Sequence, residues 1–119
     1  MFKVIIAGSR NFDDYELLKT KMDYLLSQKQ DIEIVSGAAR GADQLGERYA
    51  AERGYALKQF PADWNTYGKS AGYRRNTEMA EYADAAVVFW DGKSRGSKHM
   101  INLAKAKELA VRVVWYMET

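Results

Sequence analysis

The stretch "IEIVSGAARGADQLGERYAAER", residues 32–53, changes character twice. It opens on an apolar run rich in β-branched residues and breaks at two glycines set among small residues. It resumes with Ala42, Leu45 and Tyr49 at spacings of three and four. The first part has the composition of a strand buried on both faces, and the last has the period of an amphipathic helix. A strand, a glycine turn and a helix in immediate succession make half of a parallel crossover unit.

The same succession recurs along the chain. Nearly continuous apolar runs lie at "KVIIAG" (3–8), "AAVVFW" (85–90) and "VRVVWY" (111–116), with a weaker one at "YALKQF" (55–60). Helical periodicity fills the gaps. Over 13–28 it places Leu18, Met22, Leu25 and Leu26 on one stripe, and it returns over 70–83 and 97–109. Asp13 followed by Glu16 resembles a capping box at the first of these helices. The alternation predicts an α/β fold, a parallel sheet with helices on both faces reached by right-handed crossovers; five strands in the order 3-2-1-4-5, a Rossmann-like three-layer sandwich, are the arrangement expected of it. The 119 residues suit a single domain spanning 1–119, with no linker or repeat.

Composition narrows the function classes. The chain is 47% hydrophobic and 29% charged, as globular chains are. It has no cysteine, which removes disulfides and thiolate metal sites. The start, "MFKVIIAGSR", does not read as a signal peptide, and no run approaches the ~20 apolar residues of a membrane span. The expectation is a soluble, cytoplasmic protein with no membrane contact. A net charge of +2 is too small to argue for nucleic acid by itself.

Charge and glycine are unevenly placed. The segments following the first four strands (8–13, 36–43, 61–76 and 90–99) hold seven of the nine glycines and eight basic residues against four acids. In an open parallel sheet these segments lie together beyond the carboxyl ends of the strands, close to helix N-termini, where ligands bind and anions are favoured. The candidate ligand contacts come from them. "GSR" supplies Gly8, Ser9 and Arg10. "SGAARGAD" supplies Ser36, Gly37, Arg40, Gly41 and Asp43, with Asp43 placed either as a ribose-hydroxyl acceptor or, the favoured reading, as a helix cap. It is neither a P-loop nor a GxGxxG fingerprint.

The 60–76 connection is long for a compact domain, as functional loops often are. It supplies Asp63, Trp64, Arg74, Arg75 and Asn76. Trp64 and Tyr67 suit stacking on a base or packing of the loop equally well, and one of the two arginines suits a phosphate clamp. "WDGKSRGSKHM" (90–100) supplies Asp91, Gly92, Ser94, Gly96 and Ser97. His99, the sole histidine, has no metal-ligand set around it, and Asp84, before the fourth strand, reads as structural. Neither metal nor cofactor is expected.

Taken together, "GSR", "SGAARGAD", "FPADW", "YGKSAGYRRNTEM" and "FWDGKSRGS" resemble the YspA-type branch of the SLOG superfamily, the Rossmann-like domains of the SMF/DprA and Lonely guy (LOG) proteins. The resemblance covers nearly the whole chain. It implies a nucleotide or nucleotide-derived phosphate ligand that is sensed or processed, and self-association as a homodimer. It also implies an alternative, a phosphoribohydrolase-like enzyme cleaving an N-glycosidic bond in a nucleoside monophosphate. Single-stranded nucleic-acid binding through Trp64, Tyr67 and the basic loops is a further, less favoured reading.

Laid on this chain, the LOG arginine falls on Arg75 and its methionine on Met79. The glycines and threonine of the LOG loop fall on Gly92, Gly96 and Ser97. The LOG glutamate falls on Met100, whose thioether neither carries charge nor handles protons. For an enzyme, Arg75 would stabilise developing negative charge and an aspartate, Asp91 first, would act as acid or base.

Overall fold

The computed structural model describes residues 1–117. Five strands, β1 (Phe2–Gly8), β2 (Ile32–Ser36), β3 (Ala56–Gln59), β4 (Ala85–Trp90) and β5 (Ala110–Trp115), form one sheet in the order β3-β2-β1-β4-β5. Every pairing is parallel. The helices are α1 (Tyr15–Leu25), α2 (Ala42–Arg53), α3 (Trp64–Tyr67), α4 (Ala71–Tyr82) and α5 (Arg95–Ala106). The expected topology is therefore the observed one.

The two-residue period of the strands divides the core. Val4 and Ile6 of β1, with Ala85, Val87 and Phe89 of β4, pack under Leu18 and Met22 of α1 and Tyr49 of α2. Ile5, Val35, Ala86 and Val88 point the other way, onto Met79 of α4 and Met100 and Ile101 of α5. The central strands are apolar at consecutive positions because both faces are covered. The whole of β3 is exposed, as an edge strand can be, which explains why its apolar signal is weak in the sequence.

Local differences from the sequence reading have identifiable causes. The α1 cap is Asp14, whose carboxylate accepts from the Leu17 amide at 3.1 Å, so the cap lies one residue beyond the expected Asp13. Helix α5 starts at Arg95 because Ser94 caps it. The 60–76 connection is folded: Asp63 caps α3 through the Thr66 amide, and a 3₁₀ turn at Gly68–Ser70 leads into α4. Asp84 accepts from the Lys3 amide at 2.9 Å, the structural role expected of it.

The chain crosses from one face of the sheet to the other between β3 and β4, so the connections leaving β1 and β4 diverge over opposite faces. A crevice opens at their carboxyl ends, the topological switch point.

Candidate functional site

The crevice is a cleft of about 570 Å³. Its base is the end of β1, with Ala7, Gly8 and Ser9. One wall is the first turn of α5 with the turn before it: Asp91, Ser94, Gly96 and Ser97. The opposite wall brings Arg10, Arg40 and Asp43, and the lip carries Trp64, Lys69, Gly72 and Tyr73. Arg75 and Asn76 project from α4, and Met79 and Met100 complete the lining.

Close approach of the elements around this cleft depends on missing side chains. A Cβ on Gly8 would collide with the Phe89 carbonyl and lie 2.8 Å from the Ala42 Cβ. Gly41, with φ +82°, lies against the backbone of Ser9 and Arg10. The Ala42 amide, at the start of α2, donates to the Ser9 carbonyl at 3.3 Å. That part of the α2 N-terminus is occupied by the protein itself, while the first turn of α5 faces the cleft. Gly37 leaves room for two charged groups: a Cβ there would be 2.7 Å from Arg75 Nη1 and 2.8 Å from Asp43 Oδ2.

Arg75 is held on two sides. Its Nη1 donates to the Gly37 carbonyl, and its Nε donates to Asn76 Oδ1 at 3.0 Å. Asn76 Nδ2 in turn donates to the Gly96 carbonyl at 3.3 Å and meets His99 Nδ1 at 3.2 Å. A polar chain thus links the loop after β2, helix α4 and the first turn of α5. Burial lowers the Arg75 pKa from its ordinary value; Asp43 opposes that effect and Arg10 adds to it. The single histidine is half-buried, set edge-on to Tyr73, with burial lowering its pKa.

The two candidate acids have opposite environments. Burial raises the Asp43 carboxyl to about 6, against the pull of the Ala39 amide, Arg75 and Arg10 and with Glu47 adding to the rise. The favoured cap reading of Asp43 is corrected here: Gly41 occupies the cap position of α2, and Asp43 Oδ2 instead accepts from the Ala39 amide at 3.2 Å. Asp91 Oδ1 accepts from the Lys93 and Ser94 amides at 2.8 and 3.0 Å, and these bonds hold its pKa below the ordinary carboxylate value. Asp91 is therefore ionised at neutral pH, and only Asp43 is poised to exchange a proton there.

Two hydroxyls are buried on the cleft wall. Ser9 Oγ sits beside the Asp91 carboxylate and, as a donor to it, adds to the lowering of its pKa. Ser97 Oγ has no hydrogen-bond partner. A buried hydroxyl left in this state calls for a ligand or a water.

Of the sequence candidates, Gly8, Ser9, Arg10, Arg40, Asp43 and Trp64 line the cleft, as do Arg75, Asn76, Asp91, Ser94, Gly96 and Ser97. Gly37 borders an adjoining hollow. The remaining five are not on the cleft walls and have local tasks. Ser36 Oγ donates to Glu47 Oε2 at 2.7 Å and accepts from the Ala38 amide. Gly41 is the α2 cap and Asp63 the α3 cap. Arg74 bonds Ser70 and covers the Tyr67 ring, and Gly92 turns at φ +84° beside Trp115. Sequence reasoning missed Tyr73, Asn11 and Lys69 as lining residues. Lys69 was visible in the basic excess of the 61–76 segment; Tyr73 had no signal, since its direction depends on the pitch of α4.

A doubly wound parallel sheet with a polar cleft at its switch point defines a Rossmann-like protein. Within that class the chain belongs to the YspA, cpYpsA-related SLOG family, whose family model matches residues 2–67. The Gene 61 protein of Mycobacterium phage D29 is 33% identical over 118 residues, covering 93% of this chain and 94% of its own length. Among solved structures, DNA processing protein A (DprA) from Streptococcus pneumoniae matches with a TM-score of 0.76 at 18% identity, covering 95% of this chain and 50% of that one. Helicobacter pylori DprA, described for its single-stranded DNA binding mode, matches with a TM-score of 0.68 at 20% identity over 94% and 64%. The structure of TM1055 matches with a TM-score of 0.68 at 18% identity over 93% and 72%. The chain spans about half the length of the Streptococcus protein, and at these identities the likeness is one of fold. No helix among the described residues is long and apolar enough to cross a membrane, and no acid or histidine cluster there could hold a metal ion.

Proposed function

We propose that the cleft binds a nucleotide or nucleotide-derived phosphate ligand. The observation that carries this reading is the buried, unpartnered hydroxyl of Ser97, set in one cleft with the N-terminus of α5 and with Arg10, Arg40 and Arg75. A phosphate there would accept from the Ser97 hydroxyl, gain from the helix dipole and meet cationic side chains. Asn76 would hold the Arg75 guanidinium in place through Nε. Membership of a SLOG family supports the same ligand class.

Turnover is the second reading. Met100 lies on the cleft wall where the LOG pattern has its glutamate, so LOG-type hydrolysis lacks that carboxylate. Asp43 would be the proton-carrying group and Arg75 the stabiliser of developing charge. Single-stranded DNA binding is favoured by the half-exposed Trp64 and Tyr73 at the lip and by the similarity to H. pylori DprA. Self-association as a homodimer is part of the proposal and is read by light scattering.

Thermal stability and released base are measured together with nucleoside monophosphates. Stabilisation without base release supports a sensor, and base release supports the enzyme. Ser97→Ala should weaken binding by about 1 kcal/mol, the worth of one hydrogen bond to a charged group or somewhat less. Oligonucleotide affinity that falls steeply with salt and needs no terminal phosphate would move the assignment to nucleic acid.

A further inference from the structure

The donors and acceptors around Asn76 leave its side-chain amide one orientation. Arg75 Nε can only donate, and it meets the amide oxygen at 3.0 Å. The Gly96 carbonyl can only accept, and it meets the amide nitrogen at 3.3 Å. The second hydrogen of that nitrogen is left for His99 Nδ1 at 3.2 Å, which must accept it. The histidine is therefore neutral in this arrangement, with its proton on Nε2. Asn76 is buried, so a lost partner is not simply replaced by bulk water.

Protonation of His99 puts a hydrogen on Nδ1, and two donors then face each other. Turning the amide over does not relieve the conflict. It sets the nitrogen against Arg75 Nε and the oxygen against the Gly96 carbonyl. Tyr73 stands edge-on to the imidazole, with 4.6 Å between centroids, and restrains the ring from swinging clear.

Helix α5 packs on α4, β1, β4 and β5. Tyr73 and Asn76, both of α4, are the polar groups set against the His99 ring. Among the described residues no charged side chain contributes to its lowered pKa, which burial alone causes. Arg95 and Lys98 of α5 itself are exposed. The charged form of His99 is thus reached only below its ordinary 6.5.

We infer that His99 is a positioning residue for anion capture: its neutral Nδ1 fixes the Asn76 amide, the amide fixes the Arg75 guanidinium, and a proton on His99 releases both. The gate rests on the phosphate-binding reading given above and adds acid sensitivity to it. Its sign is opposite to that of plain electrostatics. A cationic His99, or a neutralised Asp43 beside Arg75, would by charge alone favour an anion; the loosened Arg75 disfavours it.

Two measurements test the gate. Heteronuclear NMR of the ligand-free protein, from about pH 8 to about pH 5, should find the His99 proton on Nε2 at the alkaline end. The Asn76 side-chain amide and Arg75 Nε resonances should then move with the His99 midpoint. In His99→Gln, whose Oε1 can still accept from Asn76 but does not titrate, the Asn76 movement should vanish. AMP affinity is read by calorimetry for the parent and His99→Gln; the titrations of AMP and of Asp43 are common to both and cancel. The parent should lose at least about fivefold more affinity than the variant on going from about pH 8 to about pH 5.5. By reciprocity, saturating AMP should lower the His99 pKa. Asn76 and Arg75 resonances that stay fixed while His99 titrates overturn the inference without any variant. AMP binding with the same pH profile in both proteins, or a His99 pKa raised by AMP, overturns it too and leaves the phosphate reading standing. AMP that fails to bind at any pH removes the phosphate reading and the gate with it, while the ligand-free spectra still decide whether His99 positions Arg75.

Discussion

Burial raises the Asp43 carboxyl from its ordinary 3.8 to about 6, so its folded-state pKa lies above its unfolded one. The folded protein then takes up a proton between about pH 4 and pH 6 that the unfolded chain does not. Stability contributed by this residue is present below that window and is lost as the pH rises through it. Asp43→Asn should therefore be more stable than the parent by about 3 kcal/mol at pH 8, with the difference shrinking toward pH 4. Urea unfolding of both proteins across pH 4–8 measures it, and the comparison cancels the opposite contributions of Asp23, Glu52 and Asp91, whose pKa values are lowered. Gly37 acts at the same scale. Gly37→Ala would press a methyl onto the Arg75 guanidinium and the Asp43 carboxylate, and should cost about 1–3 kcal/mol in thermal unfolding. The glycine was legible in "SGAARGAD". Its reason was not, because Arg75 is 38 residues away in sequence.

At the scale of elements, strands and helices follow from local pattern, and their ends follow from single hydrogen bonds. The α1 stripe of Leu18 and Met22 is buried as its spacing predicts. The cap is Asp14 and not Asp13, a distinction that two adjacent aspartates cannot make in sequence. Asp14→Ala should lower stability by about 1 kcal/mol and Asp13→Ala by far less, read from denaturant midpoints. Likewise, "DGKSRGS" announces a polar turn into a helix. The structure adds that Asp91 spends its carboxylate on the Lys93 and Ser94 amides. Two carboxylates that look alike in the sequence thus separate: one fixes a turn and stays ionised, and the other is buried beside an arginine. The short helix α3 escaped the sequence reading because four residues are too few to show a helical period.

Across the whole molecule, the spacing between layers is set by residues that lack bulk. Gly46 of α2 lies over β1, where a Cβ would be 2.9 Å from the Ile6 side chain. Gly46→Ala gains about 1 kcal/mol of helix propensity but over-packs that contact by about 1–3 kcal/mol. The expected net result is a loss of roughly 1 kcal/mol, visible as a lower melting temperature; a gain would show that α2 moves freely on the sheet. The sequence by itself determined the parallel sheet with helices on both faces and the basic, glycine-rich segments that follow its strands. Those depend on periodicity, composition and the fixed handedness of crossovers, all of which are local or general. The tertiary structure alone decided which rim residues share a cleft, which of them are consumed by capping, and that the Asp43 carboxyl is raised to about 6 while that of Asp91 is lowered. Each of these depends on desolvation and on partners brought together from distant parts of the chain, and neither quantity is encoded at the position of the residue itself.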